Sequence, residues 1–402
     1  MIRNINYKIL GIAFILGGTP SLFIIRDFIP INKQLFTYSI VAFFLLCMIN
    51  YSNLIKFKII KTSPSHIYFI TFFLIFIILF LSLFYKGFSS QTIYLIITLF
   101  IFLSLLSQDN NDNGDLVKYL AIISSISVYL TFLFTPLSYE YWLYNGGRLY
   151  IGDTENPNLV ASLTSINIIS TVFYLFTKDS NKKIILIITP SIFASIYLYL
   201  LSQGKSTSIG LFLILLFLIF KNFKYLLIKF KYYIKAFSFV FFLLVGLLFY
   251  YKDKFQNYIN ILFSSFETLF GDKSNALAKS ADIRKENFSE AFNYISSDNI
   301  FGHGINTFRM DSPILQANID LGNIYTVFLI YIFLIVPLII IATKKFIRLN
   351  DNSKMVFLLY LFYFPNLFFH GTPYEYSIWL PVLLMLKFNT YTKEKNENYT
   401  HH

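Results

Sequence analysis

Three cations in this chain stand in settings that suit an anion. Arg148 closes the run Tyr141-Trp142-Leu143-Tyr144-Asn145-Gly146-Gly147-Arg148, which leads on to Asn156-Pro157-Asn158 and an apolar stretch. The two glycines leave the backbone unhindered, so a fixed guanidinium is presented just ahead of that stretch. Pro157 suits a first helical turn, with Asn156 as its cap. Lys205 lies in the tight turn Gly204-Lys205-Ser206 between two apolar runs. Arg284 belongs to Ser280-Ala281-Asp282-Ile283-Arg284-Lys285-Glu286, where Ser280 or Asp282 can cap a helix with Ile283, Phe288, Ala291, Phe292 and Ile295 on its apolar side. A guanidinium in the first turn, beside free backbone N–H groups, matches phosphate oxygens. Each setting also has an ordinary explanation. These are an interfacial aromatic belt with a snorkelling Arg, a solvated turn, and an amphipathic surface helix.

A fourth stretch is Asp298-Asn299-Ile300-Phe301-Gly302-His303-Gly304-Ile305-Asn306-Thr307-Phe308. Its glycines allow a turn that larger residues cannot adopt, and Phe301 and Phe308 are expected to pack it down. His303 is a candidate proton acceptor, or simply an exposed turn residue, and the same holds for His370 beside Tyr374 and Glu375. Neither histidine has metal-ligand partners at the right spacing, so no metal and no cofactor is expected.

The elements that position these residues follow from composition. Of 402 residues, 56% are hydrophobic and 13% charged, with mean hydropathy +0.61. One soluble core cannot hide that much apolar surface, so a lipid bilayer is the expected solvent. The net charge of +12 resides in short Lys clusters between apolar runs, which points to an anionic membrane face and not to nucleic acid. The single cysteine, Cys47, lies within an apolar run and offers no intramolecular disulfide. No cleavable signal peptide is evident, and His401 and His402 resemble a tag remnant.

At about 17–20 residues per crossing, the spans fall at 9–25, 35–52, 67–85, 91–107, 116–137, 158–176, 184–202, 207–220, 236–251, 322–342, 355–370 and 377–389. The expected fold class is an all-α polytopic membrane protein of about twelve transmembrane helices, since lipid offers backbone amides no partner and barrel alternation is missing. With the N-terminus inside, Lys56, Lys58, Lys61, Lys182, Lys183, Lys224, Lys229, Lys344, Lys345 and Arg348 all face the cytoplasm, as does the C-terminal tail. Segment 1–251 then holds nine spans and the outer loop 138–157. Segment 252–320 is one large outer loop with short helices, and 321–402 carries the last three spans and the tail. Loops of that length are commonly functional.

Taken in order, the four stretches resemble the O-antigen ligase and polymerase superfamily. Its pattern of Arg, Gly and Asn-Pro-Asn before a span is matched by Arg148, Gly152 and Asn156-Pro157-Asn158. Its short Ser-Arg-type turn is matched by Gly204-Lys205-Ser206, with Lys in place of Arg. Its large periplasmic loop, with an Arg-helix and a Gly-x-Gly-x-x-x-Phe element, is matched by Arg284 and Gly302 to Phe308. The resemblance covers roughly residues 140–340. Ligases carry a His-Asn-type pair eleven residues before a Gly that opens the next span. Counting back from Gly322 gives Asp311-Ser312, although Leu315, Gln316, Asp320 and Gly322 keep the frame. Loss of that His favours the Wzy-type O-antigen polymerases.

The resemblance implies a GT-C-like architecture in the bacterial inner membrane, with the active site on the periplasmic face. It implies a metal-independent glycosyltransferase acting on undecaprenyl-pyrophosphate-linked oligosaccharide as donor and acceptor, in lipopolysaccharide biosynthesis, alongside a chain-length regulator and a flippase. Arg148, Lys205 and Arg284 would hold the diphosphate. Asp311, Asp282, Glu286 and His303 are candidates for taking the acceptor's proton. Tyr141, Trp142 and Tyr144 would stack on sugar rings, with Asn156 and Asn158 also binding substrate. The alternatives are a polysaccharide ligase of the same superfamily and a lipid-linked oligosaccharide flippase. The flippase would call for charges within the spans and related halves, and neither is seen.

Overall fold

The computed structural model describes residues 7–19, 21–22, 24, 39, 65–87, 89–106, 115–135, 148–150, 157–177, 181–202, 204, 207–217, 286–291, 293–294, 300–305, 308, 310–343, 346 and 349–390. The described residues are almost all helical and include no strand. In order they form α1 (Tyr7–Gly17), α2 (Ser65–Lys86), α3 (Ser90–Leu106), α4 (Leu116–Phe134), α5 (Pro157–Leu175), α6 (Lys182–Ser202) and α7 (Thr207–Phe217). Then come α8 (Pro313–Ile330), a π turn (Tyr331–Ile335), α9 (Val336–Thr343), α10 (Asp351–Tyr363), α11 (Asn366–Phe369) and α12 (Tyr376–Thr390). Among the described residues five stretches are long and apolar enough to cross a membrane, the last covering Pro313 to Thr343 with a kink at Gly322. The chain is an all-α membrane protein. The expected spans at 35–52 and 236–251 fall outside the described residues, apart from Ser39.

The chain divides into two compact units: one of Met1–Leu16, Pro30–Leu120 and Ala281–His402, the other of Gly17–Ile29 and Ala121–Ser280. In the first unit α12 packs between α3 and α10, while α2 packs on α3 and on α8. Hydrogen bonds set the register. Tyr68 OH of α2 donates to Leu386 O (3.2 Å), Ser353 Oγ of α10 to Phe388 O (2.9 Å), and Leu116 N–H to Asn352 Oδ1 (3.1 Å). These contacts gather the start of α2, the start of α10 and the end of α12 at one end, together with Lys354 and Lys387. At the other end Tyr94 of α3 meets Tyr376 of α12 at 5.9 Å.

Between α8 and α9 the helix widens into the π turn, and its sequence explains why. Pro337 has no N–H to give the Phe333 carbonyl four residues back. Tyr360 OH donates to that carbonyl instead, at 2.6 Å, and the Phe333 ring meets Trp379 edge-on at 4.7 Å. Further along, the single span expected over 355–370 is broken. Helix α10 ends at Tyr363, Phe364-Pro365 turns, and α11 follows as one short turn.

The second unit is built around α5, which is the most buried of its spans and the least apolar, with mean hydropathy 1.4. Both properties trace to Asn167, fully buried between α4 and α6. Its Nδ2 donates to Ser124 Oγ (3.1 Å) and Ser125 Oγ (2.9 Å), and its Oδ1 accepts from Ser191 Oγ and Ser195 Oγ, both at 2.9 Å. Small side chains let the backbones approach, and the amide satisfies four hydroxyls from two neighbouring helices. At about 0.6 kcal/mol for each such bond in a membrane protein, Asn167→Leu is expected to cost about 2 kcal/mol and to lower the unfolding temperature in detergent. Asn167→Gln is expected to restore little, because the longer chain overfills the site. A leucine variant as heat-stable as the parent would remove this role.

Candidate functional site

Arg148 lies in the second unit, at the end opposite Lys182 and Lys183. Its neighbour Leu149 donates its backbone N–H to Leu201 O at 3.1 Å, and the Leu149 side chain packs with Val160, Leu163, Leu198 and Leu201. That clamp fixes residues 148–150 against the last turn of α6 and the first turns of α5. Arg148 itself is half-buried, with its Nε shielded from solvent. Pro157 opens α5 as its sequence context predicts, and Asn158 sits in the first turn. The turn after α6 closes on the same spot. A Cβ on Gly204 would overlap the Ala161 side chain and lie 2.5 Å from Thr207 Oγ1, so only glycine fits there. Two stretches about fifty residues apart, one carrying Arg148 and one flanking Lys205, thus meet at the start of α5. Lys205 lies outside the described residues, as do Tyr141, Trp142, Tyr144 and Asn156.

The first unit holds a second constellation, made by a break in α8. Gly322 has φ 84° and ψ −179°, which interrupts the helix nine residues after Pro313. The break leaves carbonyls upstream without their usual helical donors, and buried carbonyls must find others. His303 N–H donates to Ile319 O (2.7 Å) and Gly304 N–H to Asp320 O (3.1 Å). The approach is so close that a Cβ on Gly302 would lie 2.5 Å from Leu321 N, and one on Gly322 2.5 Å from Gly302 N. The two glycines therefore stack backbone on backbone. Gln316 bolts the same loop from above, its Oε1 accepting from Met310 N–H (2.6 Å) and its Nε2 donating to Phe308 O and Asp320 Oδ2, both at 2.8 Å. The buried Asp320 carboxylate also accepts a short hydrogen bond from Tyr374 OH. Burial, and then the Asp320 charge, push the Tyr374 phenol well above its ordinary range, so it stays a donor.

Above this junction stand the groups able to move a proton. Asp311 is exposed just before α8, and Ser312 occupies the cap position with Pro313 following. Glu375 lies over Gly371, near Thr372 Oγ1 and Ser377 Oγ (3.4 Å each). Burial raises its carboxyl above the usual range, and the nearby Asp311 charge raises it further. His303 is exposed, its ring edge-on to Tyr294 at 5.4 Å, with Nε2 3.3 Å from Tyr294 O. Glu286 is exposed on helical residues 286–291, whose Ala291 and Phe288 pack on Met310 and Ile319. Asp282 and Arg284 lie outside the described residues. Phe308 packs toward Tyr294 as expected (5.5 Å). Phe301 does not pack down: it is 82% exposed. The inner side of its turn is taken by the α8 backbone, which leaves no room for a ring.

Glu375 was not among the expected proton acceptors, though its position was informative. It is a carboxylate one residue ahead of an apolar helix, four after a glycine that leaves space above its backbone. Comparison of the chain with protein-family models, with curated proteins and with solved structures gives no match. Among the described residues no group of His, Cys and carboxylates is arranged to hold a metal.

A raised carboxyl pKa has a stability consequence of fixed sign. The folded state holds its proton more tightly, so Glu375 contributes stability at pH below the unfolded value and loses it as pH rises through the folded one. Thermal unfolding in detergent should therefore fall with rising pH across the weakly acidic range, and Glu375→Gln should flatten that fall. Parallel pH profiles for parent and variant would show that Glu375 is ordinary.

Proposed function

We propose that this protein is an O-antigen polymerase of the Wzy type, a metal-independent glycosyltransferase of about twelve spans and GT-C-like architecture. In this reading both termini are cytoplasmic, and the site faces the periplasm of the bacterial inner membrane. Its substrates are undecaprenyl-diphosphate-linked oligosaccharides, one as donor and one as acceptor. An acceptor hydroxyl attacks the anomeric carbon of the donor's first sugar. The bond to the diphosphate breaks with its electron pair, undecaprenyl diphosphate leaves, and the hydroxyl proton passes to a carboxylate or His303.

The observation that carries this reading is the junction around Gly322. The residues that keep the superfamily frame, Gln316, Asp320 and Gly322, lock onto the Gly302-His303-Gly304 element through backbone and amide bonds. A frame with that much mutual dependence has a physical reason to persist as a set, and it brings Asp311 and Glu375 to its rim. Arg148 supports the reading from the second unit, as a half-buried guanidinium for a leaving diphosphate, with Lys205 and Arg284 as its proposed companions. Asp311 at the position of the ligase histidine favours polymerisation over ligation.

Chain-length profiling of surface glycan tests the reading in cells. A strain lacking this protein should carry single repeat units, and supplying the gene should restore a ladder. Unchanged long chains in the deleted strain would refute a polymerase, and loss of all glycan from the lipid A core would indicate a ligase.

A further inference from the structure

Ile300 and Phe301 are 51% and 82% exposed, side by side, on a loop that has no freedom to tuck them in. Gly302 is pressed on the backbone of α8, and His303 and Gly304 are hydrogen-bonded to its carbonyls, so the loop has one face fixed inward and one fixed outward. Directly below, the exposed face of the spanning helix begins. Ile324, Val327, Phe328, Ile335, Leu338 and Ile339 recur at helical spacing and are all at least 44% exposed. The Ile300 backbone lies against Gly322, two residues ahead of Ile324, so the loop stands at the level where this stripe begins.

Lengths decide what covers it. At about 1.5 Å per residue, the stretch from Gly322 to Thr343 covers about 30 Å, the thickness of a bilayer's hydrocarbon core. The stripe alone, Ile324 to Ile339, covers only about 22 Å on the same rise. Asn323 is exposed at the level of the loop, its Oδ1 accepting from Asn318 Nδ2 at 2.7 Å, which marks the rim of the apolar layer and not its interior. A wholly apolar phenyl ring at that level gains by leaving water for acyl chains.

We propose that Ile300 and Phe301 form a lipid-inserted wedge, seated among acyl chains at the edge of the hydrocarbon layer, that completes the membrane-facing surface of α8. The wedge fixes the depth of the Gly302–Gly304 loop and keeps the Asp320–Tyr374 junction at the lipid boundary. It does not depend on the enzymatic reading.

Because Cys47 is the only cysteine, a Cys47→Ser background carrying Phe301→Cys can be labelled with a nitroxide and reconstituted into phosphatidylcholine–phosphatidylglycerol vesicles. Val327→Cys reports lipid, and the exposed Glu290→Cys reports water. The expected result is an oxygen-to-nickel-chelate collision ratio at residue 301 several-fold above that at 290 and close to that at 327. Ile300→Cys, read the same way, guards against a local disturbance at 301. A ratio no higher than that at Glu290 would place the loop in water and overturn the proposal. So would an immobilised label closed to both quenchers, which would mean protein covers the site.

Discussion

Alanine at Gly322 is expected to unfold the junction that organises the first unit. The position combines φ 84° with ψ −179°, a conformation essentially reserved for glycine and costing other residues about 1–3 kcal/mol. The added Cβ must also enter the space of Ile300 and Gly302 backbone atoms, which have no flexible end to swing aside. Together these should cost at least about 3 kcal/mol, enough to deplete the folded population of a marginally stable protein. Gly87 supplies the control. It too has positive φ, 62°, but nothing lies within 4 Å of its Cβ position, so Gly87→Ala should cost only about 1–2 kcal/mol. Size-exclusion profiles after graded heating in detergent separate the two. Gly322→Ala should lose its monodisperse peak at markedly lower temperature than Gly87→Ala. Equal behaviour would mean that the glycine stack is not what holds the loop to α8.

Arg148→Ala is expected to have the largest effect on activity. If the guanidinium stabilises charge growing on a leaving diphosphate, removing it should slow polymerisation by about 100–1000-fold, the scale seen for loss of one preorganised donor. Lysine at 148 keeps the charge but loses the planar fork, so it should recover only part of the rate. Arg148 is half-buried next to the Leu149 clamp, so either variant also costs some stability. Both must therefore be compared at equal amounts of folded protein. Cells with well-expressed Arg148→Ala should accumulate lipid bearing single repeat units, and normal long chains would remove Arg148 from the site.

Much of the fold was legible because lipid imposes a simple demand. A run of apolar residues long enough to span has no alternative to a helix, so the stretches expected at 67–85, 116–137 and 184–202 appear as α2, α4 and α6 with ends shifted by a few residues. The boundary at Gly322 was legible too, although the helix begins at Pro313 and the glycine acts as a break within it. What escaped the sequence was pairing at a distance. Tyr374 meets Asp320 across 54 residues, and Asn167 meets serines on two other helices. No local period encodes either. Phe301 was misplaced because the inner side of its turn is filled by the α8 backbone, a contact nearly twenty residues away in sequence that no local pattern announces. Glu375 escaped because its carboxyl is raised chiefly by burial, and then by the Asp311 charge, and both depend on the three-dimensional packing.

The most direct measurement uses purified protein in proteoliposomes, supplied only with an undecaprenyl-diphosphate-linked repeat unit and no metal. Polymerisation predicts a ladder of lipid-linked glycans spaced by one repeat, with one undecaprenyl diphosphate released per bond formed. The ladder should be lost in Arg148→Ala. If folded, membrane-inserted protein returns the repeat unit unextended with authentic donor, and only joins it to added lipid A core, the polymerase account is contradicted.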